Sequence, residues 1–285
     1  MKNDISLILR DYGNDYVIVG KQGNSFSSDV YAIKDSCRTY ILKIPYSRKA
    51  FDTEIKILNL LSNLSFNSPH IVKQSDVSNS FIMTQLEGKN GDGITIKEHH
   101  IKQIVELIVK FHNIAVPDGL IYYNYNLIVT TFYENLEKVS KYLDTKLKAF
   151  LINYCQKHFY ILENRDFSHL IHRDVRLGNM IFSNETVSLI DFESCAIGDP
   201  EMDIIKIYAE LKDINSYFGE MFIEKYAKYR KLEKKTLYTI IDLYIILDKI
   251  NSLAWCYQRN KIGCDFYRNS LFYLINIYRK RRENE

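Results

Sequence analysis

Apolar residues are spaced as strands near the start of the chain and as helices over most of the rest. Residues 16–20 (Tyr-Val-Ile-Val-Gly) and 30–34 (Val-Tyr-Ala-Ile-Lys) are short β-branched and aromatic runs, and they predict two strands joined by a Gly- and Ser-rich loop over 21–29. A third strand is predicted over 38–45. A helix follows from Phe51, with apolar positions at Ile55, Leu58 and Leu61. Residues 71–74 and 80–88 supply the last strands, and Asn90-Gly-Asp-Gly marks a turn-rich boundary. Beyond it the period becomes helical. Ile101, Ile104, Val105, Ile108 and Phe111 share one face of a helix over 98–113, and a Tyr-rich helical stretch covers 122–167. A small hairpin is expected from 180–182 and 187–190, and helices from 203 nearly to the end. The pattern predicts an α+β protein, with residues 1–87 as a sheet-based lobe and 88–285 as a helical one.

Bulk properties narrow the class. A chain of 285 residues is long enough for two cores. Its composition, 46% hydrophobic and 26% charged, is that of a globular protein. The first residues carry an early acid and too short an apolar run for a signal peptide. The most apolar stretch, 239–249, is interrupted by Asp242 and Asp248, so it reads as a buried helix rather than a membrane span. Five scattered cysteines, without a C-x-x-C pair, suggest neither zinc nor a disulfide framework and point to the cytoplasm. The net charge of +3 is spread evenly, +1 over residues 1–100 and +2 over the rest. No basic stripe suggests nucleic acid; the cluster at 279–282 reads as a solvated helix end.

The chemistry is concentrated between His172 and Asp203. Asp174 and Asn179 lie five residues apart, and Asp191 ends a short apolar run. That order suits phosphoryl transfer from ATP, which needs one carboxylate facing the acceptor hydroxyl and two oxygen ligands for magnesium on the phosphates. Asp174 is expected to orient or deprotonate the hydroxyl, with Asn179 and Asp191 as Mg2+ ligands. Upstream, Lys43 falls in an apolar strand, where an unpaired ammonium is costly. Glu54, early in the next helix, is its expected partner. The loop with Gly20, Gly23, Ser25, Ser27 and Ser28 can bring backbone N–H groups and hydroxyls to phosphates, although a plain hairpin turn accounts for it equally well.

His-Arg-Asp at 172–174, Asn179 and Asp-Phe-Glu at 191–193 together resemble the catalytic loop and metal-binding turn of the protein-kinase-like fold. The closer similarity is to its small-molecule branch, the aminoglycoside phosphotransferases and the choline and ethanolamine kinases. Protein kinases carry Asp-Phe-Gly and a long activation segment, whereas here Glu193 follows Phe192 and Gly198-Asp-Pro-Glu-Met-Asp203 comes soon after. Arg173 departs from that branch, which more often has Gly or Asn there.

The resemblance implies a two-lobed fold, ATP and Mg2+ as cofactors, and a small-molecule hydroxyl acceptor. It implies that Met83 lines the adenine pocket while the backbone of Thr84 and Leu86 reads the adenine edge, and that Asp203 buttresses the catalytic loop. Glu193 would face metal or acceptor. His112 and His172 read as core residues, since this chemistry needs no imidazole. Trp255 and Tyr257 resemble the late aromatics that hold a quaternary ammonium in choline kinases. Two residues apart on one helix they diverge by about 200°, so core packing of Trp255 competes with that role. An amino-alcohol kinase, a nucleotide-binding pseudokinase acting through a partner and, less fittingly, a protein kinase are the alternatives. Oligomeric state is not encoded in any of these features.

Overall fold

The alternating segments fold as strands and the three-to-four-spaced segments as helices. The computed structural model describes residues 5–13, 15–23, 27–184, 186–261 and 265–282. In chain order the elements are α1 (Ile5–Arg10), β1 (Val17–Lys21), β2 (Ser28–Lys34), β3 (Thr39–Pro45), α2 (Arg48–Asn63), β4 (Ile71–Ser75), β5 (Ser80–Thr84), β6 (Lys89–Asn90) and α3 (Glu98–His112). Then come α4 (Tyr125–Val139), α5 (Thr145–His158), α6 (Tyr160–Glu163), β7 (His169–Ile171), β8 (Met180–Phe182), β9 (Val187–Leu189) and β10 (Ala196–Gly198). Four helices finish the chain: α7 (Ile204–Ile214), α8 (Ser216–Arg230), α9 (Lys234–Gln258) and α10 (Asp265–Arg282).

Two compact units emerge, one of Met1–Ile121 with His172–Ala196, the other of Tyr122–Ile171 with Ile197–Glu285. The first holds an antiparallel five-stranded sheet in the order β1-β2-β3-β5-β4. Side chains alternate across it. Leu42 and Ile44 of β3 cluster with Ile33, Ile82 and with Ile8, Leu9 and Tyr12 from the N-terminal segment, which covers one face. Tyr12 Oη bonds Ser80 Oγ at 2.7 Å, Ser75 Oγ donates to Asp11 at 2.9 Å, and Lys73 Nζ donates to the Tyr12 carbonyl at 3.0 Å. Lys43 lies between Leu42 and Ile44 and therefore faces the other side, toward α2. Ser47 caps α2 by accepting from Ala50 N at 3.2 Å. A second, three-stranded sheet, β6-β8-β9, pairs the segment after β5 with the expected hairpin, Met180 opposite Leu189.

The second unit is helical apart from the pair β7 and β10. Its centre is α9, which packs against α4, α7, α8 and α10. Buried side chains such as Leu237, Ile241, Leu243, Ile246 and Ile250 surround its axis, as expected of a helix enclosed on most sides. Among the described residues no helix is long and apolar enough to cross a membrane.

Candidate active site

Lys43 is 3% exposed, yet its ammonium meets three carboxylates. Nζ lies 2.6 Å from Glu54 Oε2, 2.5 Å from Asp191 Oδ1 and 3.5 Å from Glu193 Oε2. Burial opposes the charge, but Asp191, Glu54 and Glu193 outweigh it and hold the amine protonated well above its ordinary range. Glu54 shows the converse. Burial raises its carboxyl, Asp191 and Glu193 add to the rise, and Lys43 only partly offsets it. Glu54 Oε1 also accepts the Phe192 N–H at 3.3 Å, so one side chain of α2 holds both the strand lysine and the turn after Asp191. Glu54, Asp191 and Glu193 offer oxygens within 4.8 Å of one another. Glu193 Oε2 is buried and has no hydrogen-bond partner among the described residues.

Asp191 stands at φ 71°, ψ 63°, a left-handed conformation. Arg173 does likewise at φ 68°. Such backbone costs about 1–3 kcal/mol per residue and persists where the surroundings enforce it. Those surroundings are visible around His172, a fully buried imidazole between Phe111 and Phe192. Its Nε2 donates to the Ile190 carbonyl at 3.0 Å while Nδ1 accepts from Asp174 N at 3.3 Å. The Ile190 N–H in turn donates to the Asn179 carbonyl at 3.0 Å. The catalytic-loop candidates and the residue preceding Asp191 are thereby tied together through backbone groups. Within the loop, Asn179 Nδ2 donates to both the Asp174 carbonyl and Asp174 Oδ2, each at 2.8 Å.

The remaining candidates are less concentrated. Gly23 has φ +56° with open space where a Cβ would stand, and the Ser27 carbonyl accepts from Tyr46 N at 2.8 Å. Ser25 lies outside the described residues. Met83 is buried on β5 opposite Ile41 and Ile71. Thr84 N donates to the His70 carbonyl and Thr84 Oγ1 accepts from His70 N, each at 2.9 Å, while Leu86 sits half-buried just past the strand. Trp255 and Tyr257 belong to the other compact unit. Trp255 is half-buried rather than core: Arg259 lies 4.3 Å over its ring and Phe266 stands edge-on at 6.2 Å. Tyr257 faces elsewhere, with Lys141 5.1 Å over its ring and Tyr142 beside it, as two positions on one helix require. Asp203 is buried at the start of α7.

Two clusters escape the sequence reading. Asn90-Gly-Asp-Gly, legible only as a turn, packs against the catalytic loop: Asn90 Nδ2 donates to the Gly178 carbonyl at 2.7 Å. In the helical unit, Asp199 and Glu201 are fully buried. Arg165 grips Asp199 with two bonds of 2.8 and 2.9 Å and also pairs with Glu201. Arg230 reaches Glu201 at 3.0 Å, and Tyr244 donates to Asp199 at 2.8 Å. The signal for it was the Gly-Asp-Pro-Glu run itself, whose arginine partners lie far away in sequence.

Comparison with known proteins shows the family and the fold. The profile of the phosphotransferase enzyme family matches residues 21–236. A curated relative, the Protein LicA homolog of Metamycoplasma hominis, is 28% identical over 164 residues, which span 54% of this chain and 63% of that protein. The GDP complex of wild-type aminoglycoside 2'-phosphotransferase-IIIa superimposes with a TM-score of 0.75 at 18% identity, covering 95% of this chain and 96% of that one. Choline kinase from Cryptosporidium parvum Iowa II gives a TM-score of 0.70 at 12% identity, covering 99% and 97%. These likenesses establish the two-lobed protein-kinase-like fold.

Proposed function

The chain belongs to the phosphotransferase enzyme family, and from that premise we propose that it moves the γ-phosphoryl group of ATP to a hydroxyl of a small molecule, in the manner of an aminoglycoside phosphotransferase. The observation that carries the proposal is the buried ammonium of Lys43, shared between Glu54 and Asp191 at 2.6 and 2.5 Å. A phosphate-anchoring lysine, the helix carboxylate that sets it and an acidic metal ligand meet in one place. A degenerate, non-catalytic relative would have no need of that convergence together with the Asn179–Asp174 contact.

The donor set suits magnesium, a hard cation that prefers oxygen. Asn179 commits its amide nitrogen to Asp174, leaving the amide oxygen for metal, and Asp191 supplies a carboxylate. Glu193, whose buried Oε2 accepts no hydrogen bond and lies 3.5 Å from Lys43 Nζ, is suited to join them. When bound, the metal would neutralise charge on the phosphates. Lys43 would hold the phosphates, and Asp174 would accept or orient the acceptor's hydroxyl proton as the oxygen attacks phosphorus and ADP leaves. Residues 1–87 form the nucleotide-binding lobe in this reading, with Gly23, Ser25 and Ser27 over the phosphates and Met83, Thr84 and Leu86 around adenine. Residues 88–285 carry the catalytic loop and acceptor site, a division by ligand rather than by packing. In this reading the protein works in the cytoplasm, which the free thiols Cys37, Cys155, Cys195 and Cys256 among the described residues support.

Aminoglycosides and amino-alcohols such as choline or ethanolamine are the acceptor classes to test. Trp255 would serve an ammonium acceptor only once Arg259 and Lys261 leave its ring, and Tyr257 only once Lys141 leaves its own. Formation of ADP from Mg-ATP, or of GDP from Mg-GTP, measured across choline, ethanolamine and several aminoglycosides, should rise with at least one compound. If no acceptor raises it above the rate with water, phosphoryl transfer is not the function and a nucleotide-binding pseudokinase becomes the better reading.

A further inference from the structure

We infer that Asn90 is a positioning residue for the phosphoryl transfer, clamping the turn that carries Asn179 so that Asn179 can hold Asp174. The inference rests on the roles just proposed for Asp174 and Asn179, and adds a group that acts on them through the Gly178 carbonyl. Asn90 ends β6 and works in two directions. Its Nδ2 donates to the Gly178 carbonyl at 2.7 Å, and its Oδ1 accepts the Asp92 N–H at 3.0 Å, which shapes the turn Gly91–Gly93. The Gly178 carbonyl belongs to the residue immediately before Asn179, inside the turn Leu177–Asn179.

The segment from 88 to 91 is pressed onto the chain on either side of Asn179. A Cβ at Gly91 would stand 2.4 Å from the Leu177 carbonyl oxygen, and one at Gly88, which has φ +126°, would stand 2.3 Å from that of Phe182. Both neighbours are backbone, so close approach requires glycine there. β6 pairs with β8, Asn90 opposite Ile181 and Lys89 opposite Phe182, while Arg176 lies 3.5 Å from Asp92. The turn is therefore held from outside by 88–92. From inside it is held by the two bonds that Asn179 gives to Asp174 and by the Ile190 N–H on the Asn179 carbonyl. Asn90 grips the turn's own backbone from outside, through the Gly178 carbonyl. Its removal lets the turn shift while the ion pairs of Lys43 remain.

Misplacement of a reacting group by about 1 Å can cost roughly 100-fold in rate, so the test separates turnover from binding. Asn90→Asp keeps the shape and the acceptor for Asp92 N but presents an acceptor to the Gly178 carbonyl, removing that one bond. Asn90→Gln retains a donor on a longer arm. With Mg-ATP, and with water, choline and kanamycin as acceptors, Asn90→Asp should lower kcat by roughly 10- to 100-fold. KM for ATP should stay within about twofold and Tm close to that of the parent, and Asn90→Gln should recover part of the rate. In parallel, the Asn179 side-chain amide resonances, assigned through Asn179→Asp, should move toward those of a solvated amide in Asn90→Asp. Unchanged resonances, an unchanged kcat, or a kcat that falls only together with Tm would overturn the inference. Asp174→Ala separates the two readings: if it leaves turnover intact, the proposed roles fail. If it abolishes turnover while Asn90→Asp keeps the parent rate, only the clamp fails.

Discussion

Each compact unit buries an ionic cluster, and the two differ in balance. Around Lys43 one cation faces three carboxylates, Glu54, Asp191 and Glu193. In the helical unit two guanidinium groups, Arg165 and Arg230, pair with two carboxylates, Asp199 and Glu201, to which the hydroxyls of Tyr244 and Tyr226 donate, and the buried Asp203 carboxylate is close enough to act on Tyr226. Buried ions need partners, because taking a charge out of water costs several kcal/mol. The second cluster supplies its own partners and acts as structure. The first is short of positive charge, and that deficit is what a metal-bound polyphosphate site requires. Burial is common to the two clusters; the sum of charges is where they differ.

The comparison can be broken in four ways, in order of expected effect. Asp174→Ala removes the carboxylate proposed to orient the hydroxyl and should lower turnover by about 10²–10⁴-fold with ATP binding nearly intact, checked by steady-state rates beside calorimetry. Arg165→Ala leaves Asp199 and Glu201 undercompensated. It should destabilise the fold by about 3–5 kcal/mol and lower Tm by roughly 5–15 °C in a melting scan. Tyr244→Phe deletes a single hydrogen bond to the buried Asp199 carboxylate and should cost about 1.5–3 kcal/mol by urea titration, with KM for ATP unchanged. Mg2+ alone, at ten times its Kd, should stabilise the parent by about 1.4 kcal/mol and leave Asp191→Ala unshifted; an equal response in both would sever Asp191 from metal binding.

Much of this was legible in the residues. The β-branched runs and the Ile101–Phe111 stripe fixed strands and helices near their observed bounds, because local periodicity decides which face is buried. The pairing of Lys43 with Glu54 was also readable, since an ammonium in an apolar strand demands a carboxylate. What could not be read was long-range and polar. Nothing near Asn90 indicates that it meets Gly178, and nothing near Arg165 indicates Asp199. The left-handed backbone at Arg173 and Asp191 was equally hidden, for neither residue is a glycine. His172 reads as a core residue and is one, but its two nitrogens also tie Asp174 to Ile190. Trp255 took neither of the two expected surroundings unmixed, being half-buried beneath Arg259.

The N-terminal helix has a practical bearing on how the protein is handled. Ile8, Leu9 and Tyr12 shield Ile33, Leu42, Ile44 and Ile82 from water, so a chain shortened to begin near residue 15 would present an oily sheet surface to its neighbours. Such a chain should clump at concentrations where the full one stays dispersed, even though every group in the Lys43 cluster would still be there.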